Sequence, residues 1–414
     1  MRLFITNAHV VPVGSESFDG HLLVDEGGHL EALGTDLAAP DDAEVIDAEG
    51  AWLTPGLVEA HGHVGIWEEF HGWAGDDINE TSETIGARFR ALDGIHPTDE
   101  GFRDALSGGV TTIVAKPGSA NPIGGQTVAL KSWGRIVDEM VVKQPASLKM
   151  ALGENPKKFH GADQNRLPKT RMGVAAVIRD AFNGARNYKE FRDSMRAEGR
   201  PFTTDLTNET LVQVLDGQVP VSQHCHRVDD IATAIRLAEE FGYRLVINHG
   251  TEAHLIADVL AEKDLPVVIG PLLTSRSKLE LENRSIANPG LLARAGVRVA
   301  LTTDAPVVPI NLLVVQAILA VKEGLDRDTA LRAITLTPAE IMGLDERVGS
   351  LAVGKDADMV LWSGDPLEVT SRPMSVFIQG RRVYRYDSDT HRGVTLDPYS
   401  ALGQTVSRPH LDCE

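Results

Sequence analysis

Cysteine is almost missing from this chain: among 414 residues only Cys225 and Cys413 carry thiols. Two thiols cannot form a disulfide framework, so the expected setting is a reducing cytoplasm. Basic residues are also in short supply, 40 Lys and Arg against 59 Asp and Glu, for a formal net charge of −19. That balance argues against a nucleic-acid partner, because broad phosphate-backbone binding needs clustered Lys and Arg. No apolar run approaches the roughly 20 residues of a membrane helix. The opening MRLFITNAHVVPV has no long apolar core flanked by a cleavage site. Neither a membrane nor a secretory role is expected. What remains is ordinary globular usage, 42% hydrophobic and 24% charged residues, enough for a sizeable core and little disorder.

The chain changes style twice. Residues 1–53 alternate short apolar runs (LFITNAHVV, HLLVDEGG, HLEALG, AEVIDAEG) with Gly and Asp clusters, the signature of antiparallel hairpins. His9, His21 and His29 fall here without matching neighbours and are expected at the surface or in packing. From residue 54 to about 345, apolar strands alternate with longer helical patterns, from LTPGLVEAHGH through VAAVIRDAFNGARNYKEF to VRVALTTD and LLVVQAILAVKEG. About seven or eight strand–helix units suit an α/β fold of the (β/α)8 TIM-barrel type, whose catalytic residues gather where the strands end. From residue 346 the hairpin style returns in VGSLAVGKDADMVLWSGD and SVFIQGRRVYRY. The expectation is a small discontinuous β-sandwich built from residues 1–53 and 346–414, ending in a polar tail from about 390 that packs along the surface.

Six polar residues close apolar runs and would therefore meet around one barrel axis. His61 and His63 end TPGLVEAHGH and share a face, because side chains alternate along a strand. Glu154 follows LKMALG, His224 ends VPVSQH, His249 ends RLVINH and Asp304 ends VRVALTTD. Four imidazoles and two carboxylates suit one or two divalent metals with a position left open for water. Zinc is the expected metal, with iron or manganese as alternatives, since such donor sets accept several.

Together TPGLVEAHGH, QHCH, the NH of VINHG, TTDAP and the closing VGSLAVGKDADMVLW resemble the metal-dependent amidohydrolase superfamily, nearest its imidazolonepropionase- and prolidase-like branch. The resemblance spans essentially the whole chain. It implies hydrolysis of a non-ester C–N bond in an amide, cyclic amide or dipeptide-like small molecule. In the implied reaction Asp304 takes a proton from metal-activated water and returns it to the leaving nitrogen. It also implies homo-oligomerisation, and a lysine (carboxylated) or glutamate that joins two metals. Lys149 and Glu154 compete for that place. Glu154 closes its strand near the metals, whereas Lys149 would open it towards the barrel floor, so Glu154 is favoured. Lys116, ending TTIVAK, has position alone to recommend it. By likeness to HAH variants His224 is the ligand of QHCH, leaving His226 either as a catalytic or substrate-facing group or as a satisfied histidine beside Asp229. Cys225 faces away and is expected to be buried.

The loop PGSANPIGGQ (117–126) lacks a Lys-Ser/Thr pair and shapes a pocket rather than a phosphate cradle. His71, in the loop after the first strand, would overhang the site. Arg171, Arg227 and Arg276 lie near strand ends, where a guanidinium can hold a substrate carboxylate. The competing readings are a mononuclear deaminase releasing ammonia from a ring C–NH2, and a catalytically silent scaffold of the same fold.

Overall fold

The computed structural model describes residues 2–70 and 72–399. His71, Cys413 and the tail beyond residue 399 lie outside the described residues.

The run TPGLVEAHGH is two strands rather than one. Trp52–Pro55 pairs antiparallel with Met359–Trp362, while Leu57–Gly62 pairs in parallel with Val110–Ala115. Gly56 is the corner between them. A Cβ there would sit 2.0 Å from Thr111 Oγ1, so only glycine lets the strands come this close.

Around the centre lie two sheets. One, of four strands, runs Val141–Lys143, Val128–Lys131, Val110–Ala115, Leu57–Gly62. The other, of six, runs Val299–Leu301, Val267–Ile269, Leu245–His249, Val221–Cys225, Leu148–Ala151, Ile123–Gln126. All pairings from Leu148–Ala151 to Val299–Leu301 are parallel. The expectation of a uniformly parallel (β/α)8 ring needs correction at one place. Ile123–Gln126 and Val128–Lys131 pair antiparallel with Leu148–Ala151 and Val110–Ala115. The Gly-rich loop before them reverses the chain directly, with no crossover helix to restore the parallel direction.

The other two edges, Leu57–Gly62 and Val299–Leu301, meet without a hydrogen-bonded ladder between them. Side chains and single backbone bonds make this seam. Thr302 Oγ1 donates to the His61 carbonyl at 2.6 Å, and the His63 N–H donates to the Ala305 carbonyl at 2.8 Å. Helices cover the outside. Arg171–Ala197 is held at its N-terminus by Thr170, whose hydroxyl accepts from the Gly173 N–H, and Val228–Phe241 ends on Gly242 at φ 78°. Their buried faces (Val174, Ile178 and Phe182; Ile231, Ile235 and Phe241) recur every three or four residues and join the main core.

Both chain ends build one nine-stranded sheet. Its order is Arg392–Thr395, Arg381–Asp387, Pro373–Ile378, Met359–Trp362, Trp52–Pro55, Arg2–Val10, Phe18–Val24, Leu30–Gly34, with Ala43–Asp47 beside Arg2–Val10. A separate core (Ile5, Leu22, Leu30, Leu53, Met359 and Phe377 among others) backs it. The tail expected from residue 390 begins as an edge strand, Arg392–Thr395, after which Leu396 accepts from Trp133 Nε1. Buried Lys131, between Asp356 at 2.7 Å and Asp358 at 2.6 Å, ties this sheet to the centre. Among the described residues no helix is long and apolar enough to cross a membrane.

Candidate metal centre

The parallel strands end on one side, and their last residues carry the chemistry. His61, His249 and Asp304 present ligand atoms that all lie within 4.8 Å of one another. Asp304 Oδ1 is 3.1 Å from His61 Nε2 and 3.2 Å from His63 Nε2. The imidazole of His249 lies edge-on to that of His61, with ring centres 4.8 Å apart. His249 and Asp304 both hold left-handed backbone, φ 71° and 55°. That conformation costs a non-glycine residue about 1–2 kcal/mol, a strain that collects at working sites.

Proton placement follows from the partners on the far side of the rings. His63 Nδ1 lies 2.6 Å from the Lys116 carbonyl and His249 Nδ1 lies 2.8 Å from the Gly270 carbonyl. A carbonyl only accepts, so in both rings Nδ1 donates and the neutral ring is left with a bare lone pair on Nε2. Burial drives His249 down to about 4, and burial together with the Lys149 charge drives His61 well below its usual value. At neutral pH these rings are therefore uncharged. Asp304 Oδ1, buried, has no hydrogen-bond partner. Lone pairs aimed at an unpartnered carboxylate oxygen repel unless a cation lies between them, and that donor set fits a divalent metal.

Behind the HxH pair sits Glu59, fully buried. One carboxylate oxygen accepts from the His61 N–H at 3.0 Å, and the other from the Thr303 N–H and hydroxyl at 2.8 and 2.7 Å. It thus stitches the first strand to the last, next to both His61 and Asp304. Glu59 shares strand parity with His61 and His63, a signal present in LVEAHGH that motif reading passed over.

A second group adjoins the first. His224, His226 and Glu280 have ligand atoms within 4.8 Å of one another, all three residues buried. The ring centres of His224 and His226 lie 4.5 and 5.0 Å from that of His249. His226 bonds Thr251 Oγ1 through Nδ1 at 2.8 Å, while Asp229 is taken by Arg227; the expected pairing of His226 with Asp229 is replaced. Glu280, from the loop after Val267–Ile269, lies in SRSKLELEN, which gives no hint of burial. Desolvation raises its carboxyl to about 7.

The rivalry between Glu154 and Lys149 reverses. Gly153 turns the chain at φ 86°, and Glu154 starts a short helix where it lines an outer depression with Lys157, Lys158 and Lys169. It belongs to neither ligand group. Lys149 is buried instead, and its long stem carries Nζ up to 3.4 Å from His61 Nε2. Burial brings that amine down to about 8. Buried Lys116 points elsewhere, its Nζ donating to Ser222 Oγ at 3.0 Å.

The three arginines are otherwise engaged. Arg171 is clamped between Asp230 at 3.0 Å and Glu280 at 2.6 Å. Arg227 pairs with Asp229 at 2.9 Å, and Arg276 donates to the Glu282 carbonyl at 3.3 Å. Asn155 and Lys278 stand closer, Asn155 Nδ2 at 3.5 Å from His224 Nε2 and Lys278 Nζ at 3.1 Å from Asn155 Oδ1. Cys225 is buried, as expected. A cavity of about 280 Å³ lined by Phe102, Arg103, Trp133 and Tyr399 contains none of the centre's residues.

The family model for the amidohydrolase family matches residues 52–384. The chain belongs to the amidohydrolase family. By that membership it is a hydrolase acting on carbon–nitrogen bonds, in a family that is generally metal-dependent. A crystal structure of an amidohydrolase from Thermotoga maritima MSB8 shares 46% identity with a TM-score of 0.90, over 92% of this chain and 100% of that one. Such neighbours place the fold with the TIM-type α/β barrels. The amidohydrolase tasK of Hapsidospora irregularis is 32% identical over 82% of this chain, which spans only 37% of that longer protein. An imidazolonepropionase of Rhizorhabdus wittichii is 28% identical, covering 80% of this chain and 84% of its own.

Proposed function

We propose that this chain is a metal-dependent hydrolase that opens a non-ester C–N bond in an amide, cyclic amide or dipeptide-like small molecule. The observation that carries this is the convergence of bare imidazole lone pairs and the unpartnered Asp304 oxygen on one point. His61, His63, His249 and Asp304 would hold the first metal. Lys149, rather than Glu154, is the strand residue placed to serve a metal pair. A bound divalent ion, zinc or else iron or manganese, supplies Lewis acidity that makes water a nucleophile and polarises the scissile carbonyl.

The residues supply the rest. Asp304 accepts the proton of the attacking water and delivers it to the leaving nitrogen, a two-way role open to a carboxylate facing the reacting atoms. The Lys116 and Gly270 carbonyls keep His63 and His249 in the tautomer that leaves Nε2 free. Asn155 and Lys278, at the rim, are placed to orient the substrate's polar groups. The chain acts on small molecules in the cytoplasm, as a homo-oligomer.

Asp304→Asn tests the reading against a panel of dipeptides, N-acyl amino acids and cyclic amides. The variant is expected to keep its metal while turnover falls by about 10³-fold or more, the scale of losing a general acid–base group. Near-normal turnover by the variant removes Asp304 from the chemistry. A wild-type chain that holds no metal refutes the proposal as a whole.

A further inference from the structure

We propose that Lys278 is the residue that selects the substrate, gripping a carboxylate on the amine half of the scissile bond, with the Ser119 hydroxyl as second donor and Asn155 holding both in place. The inference deepens the metal-dependent reading and rests on it for the position of that bond. The three side chains come from three segments that follow strand ends: Ser119 after Val110–Ala115, Asn155 after Leu148–Ala151 and Lys278 after Val267–Ile269. Asn155 Oδ1 accepts from Lys278 Nζ at 3.1 Å, and Asn155 Nδ2 donates to Ser119 Oγ at 2.5 Å. An ammonium only donates, which fixes the amide this way round. The same Nδ2 lies 3.5 Å from His224 Nε2, so the trio adjoins the histidines. The half-buried ammonium is felt there. Burial is the main cause that lowers His224, His226 and His249, and the Lys278 charge lowers all three further.

What the trio lacks is an acceptor. An ammonium carries three N–H donors, and Lys278 spends one of them on Asn155. The Ser119 oxygen is occupied by the Asn155 amide, which leaves the hydroxyl proton to donate. Among the described residues Lys278 pairs with no carboxylate, and Glu280, the nearest in sequence, is taken by Arg171 at 2.6 Å. Surplus donors around one positive charge call for a singly negative group that only accepts, which is a carboxylate. Ser119 is set before any ligand arrives. The Gly118 N–H donates to the Ile78 carbonyl at 2.8 Å and the Ala120 N–H to Asn79 Oδ1 at 3.0 Å, and a preformed donor costs little entropy on binding. Outside, Lys157, Lys158 and Lys169 line the depression beside Glu154, a cationic approach that steers anions on a chain of net charge −19. One amide and its two contacts separate the Lys278 ammonium from the His224 ring, a span that suits a carboxylate on the carbon next to the scissile nitrogen. The substrates so selected are N-acyl amino acids and dipeptides with a free carboxyl end. A cyclic amide or a peptide amide without one leaves the donors unmet and is disfavoured.

The test uses the metal-loaded full-length chain and matched pairs of substrates, each N-acyl amino acid or dipeptide beside its own carboxamide. Wild type is expected to favour the acid over the carboxamide by at least about tenfold in kcat/KM, the scale of a hydrogen bond to a charged group. Lys278→Met is expected to lose about tenfold or more on the acid, mainly through KM, and to stay within about twofold of wild type on the carboxamide. Asn155→Ala, which frees the ammonium, is expected to show the same selective loss. Equal rates on acid and carboxamide in wild type, or equal losses on both in Lys278→Met, overturn this inference and leave the metal-dependent hydrolase standing. A wild type that holds metal but cleaves only molecules without a carboxylate overturns it as well. A wild type without metal overturns the reading beneath it. Thermal unfolding checks the fold of each variant. If Lys278→Met does not fold, Lys278→Gln is assayed on the same pairs, and an unchanged preference for the acid refutes the proposal.

Discussion

Glu59 is the residue on which the seam between the first and last strands depends, and its removal should be felt in both stability and metal affinity. Its carboxylate satisfies three buried donors: the His61 N–H, the Thr303 N–H and the Thr303 hydroxyl. In Glu59→Ala all three lose their acceptor at a site closed to solvent. The hydroxyl can turn to another acceptor, whereas the two backbone N–H groups cannot. At about 1–3 kcal/mol for each stranded donor, the loss comes to about 4 kcal/mol. Unfolding entropy of about 2.1 cal/mol/K per residue over 414 residues converts this to a Tm drop of about 4–5 °C. Glu59→Gln keeps one oxygen and sets an amide N–H against a remaining donor, so it should fall between. Calorimetry of metal-stripped protein reads the Tm, and elemental analysis after dialysis reads the metal. Because the seam also sets Asp304 against His61, retained metal should fall together with Tm. A Glu59→Ala protein within about 1 °C of wild type and with full metal content would refute the argument.

The metal-stripped chain should be acid-sensitive. His249 is depressed to about 4 in the fold from an ordinary 6.5, so its contribution is present above pH 6.5 and is lost as pH falls through 4. At about 1.4 kcal/mol per pH unit this amounts to on the order of 3 kcal/mol. Urea midpoints at pH 7.5 and 4.5 check it, and equal midpoints would count against it. Gly56→Ala should cost about 3 kcal/mol or prevent folding, because its Cβ would meet Oγ1, Cγ2 and Cβ of the buried Thr111 at 2.0, 2.5 and 2.7 Å; an unshifted urea midpoint would disprove the corner. Lys149→Met should lower metal content while Glu154→Gln leaves it unchanged, and the opposite pattern of metal content would restore Glu154 to the centre.

What could be read from the sequence follows from how local each feature is. His61, His63, His224, His249 and Asp304 were legible because each closes an apolar run, and strand-ending polar residues converge in any fold of parallel strands. Lys149 was misjudged because position along a strand was taken as the position of the charge. A lysine stem reaches about 6 Å, so a residue low on its strand can place its amine at the top. Glu154 failed for the converse reason: the φ of Gly153 turns the chain one residue too early for the carboxylate to face the centre. Glu280 could not have been found by pattern at all. Its neighbours Lys278, Glu282 and Arg284 read as a solvated loop, and what holds it buried beside His224 and His226 is Arg171, 109 residues earlier, and the missing side chain of Gly153. The antiparallel segment 123–131 is the same case at the level of fold, since direction depends on which neighbour a strand meets, and alternation along the chain does not encode that. Residues that act through their own strand are therefore written in the sequence, whereas those that act through a partner element become visible only in the assembled fold. Glu59 lies between the two classes. Its parity with His61 marks its face, but only Thr303, 244 residues away, makes it the closure of the seam.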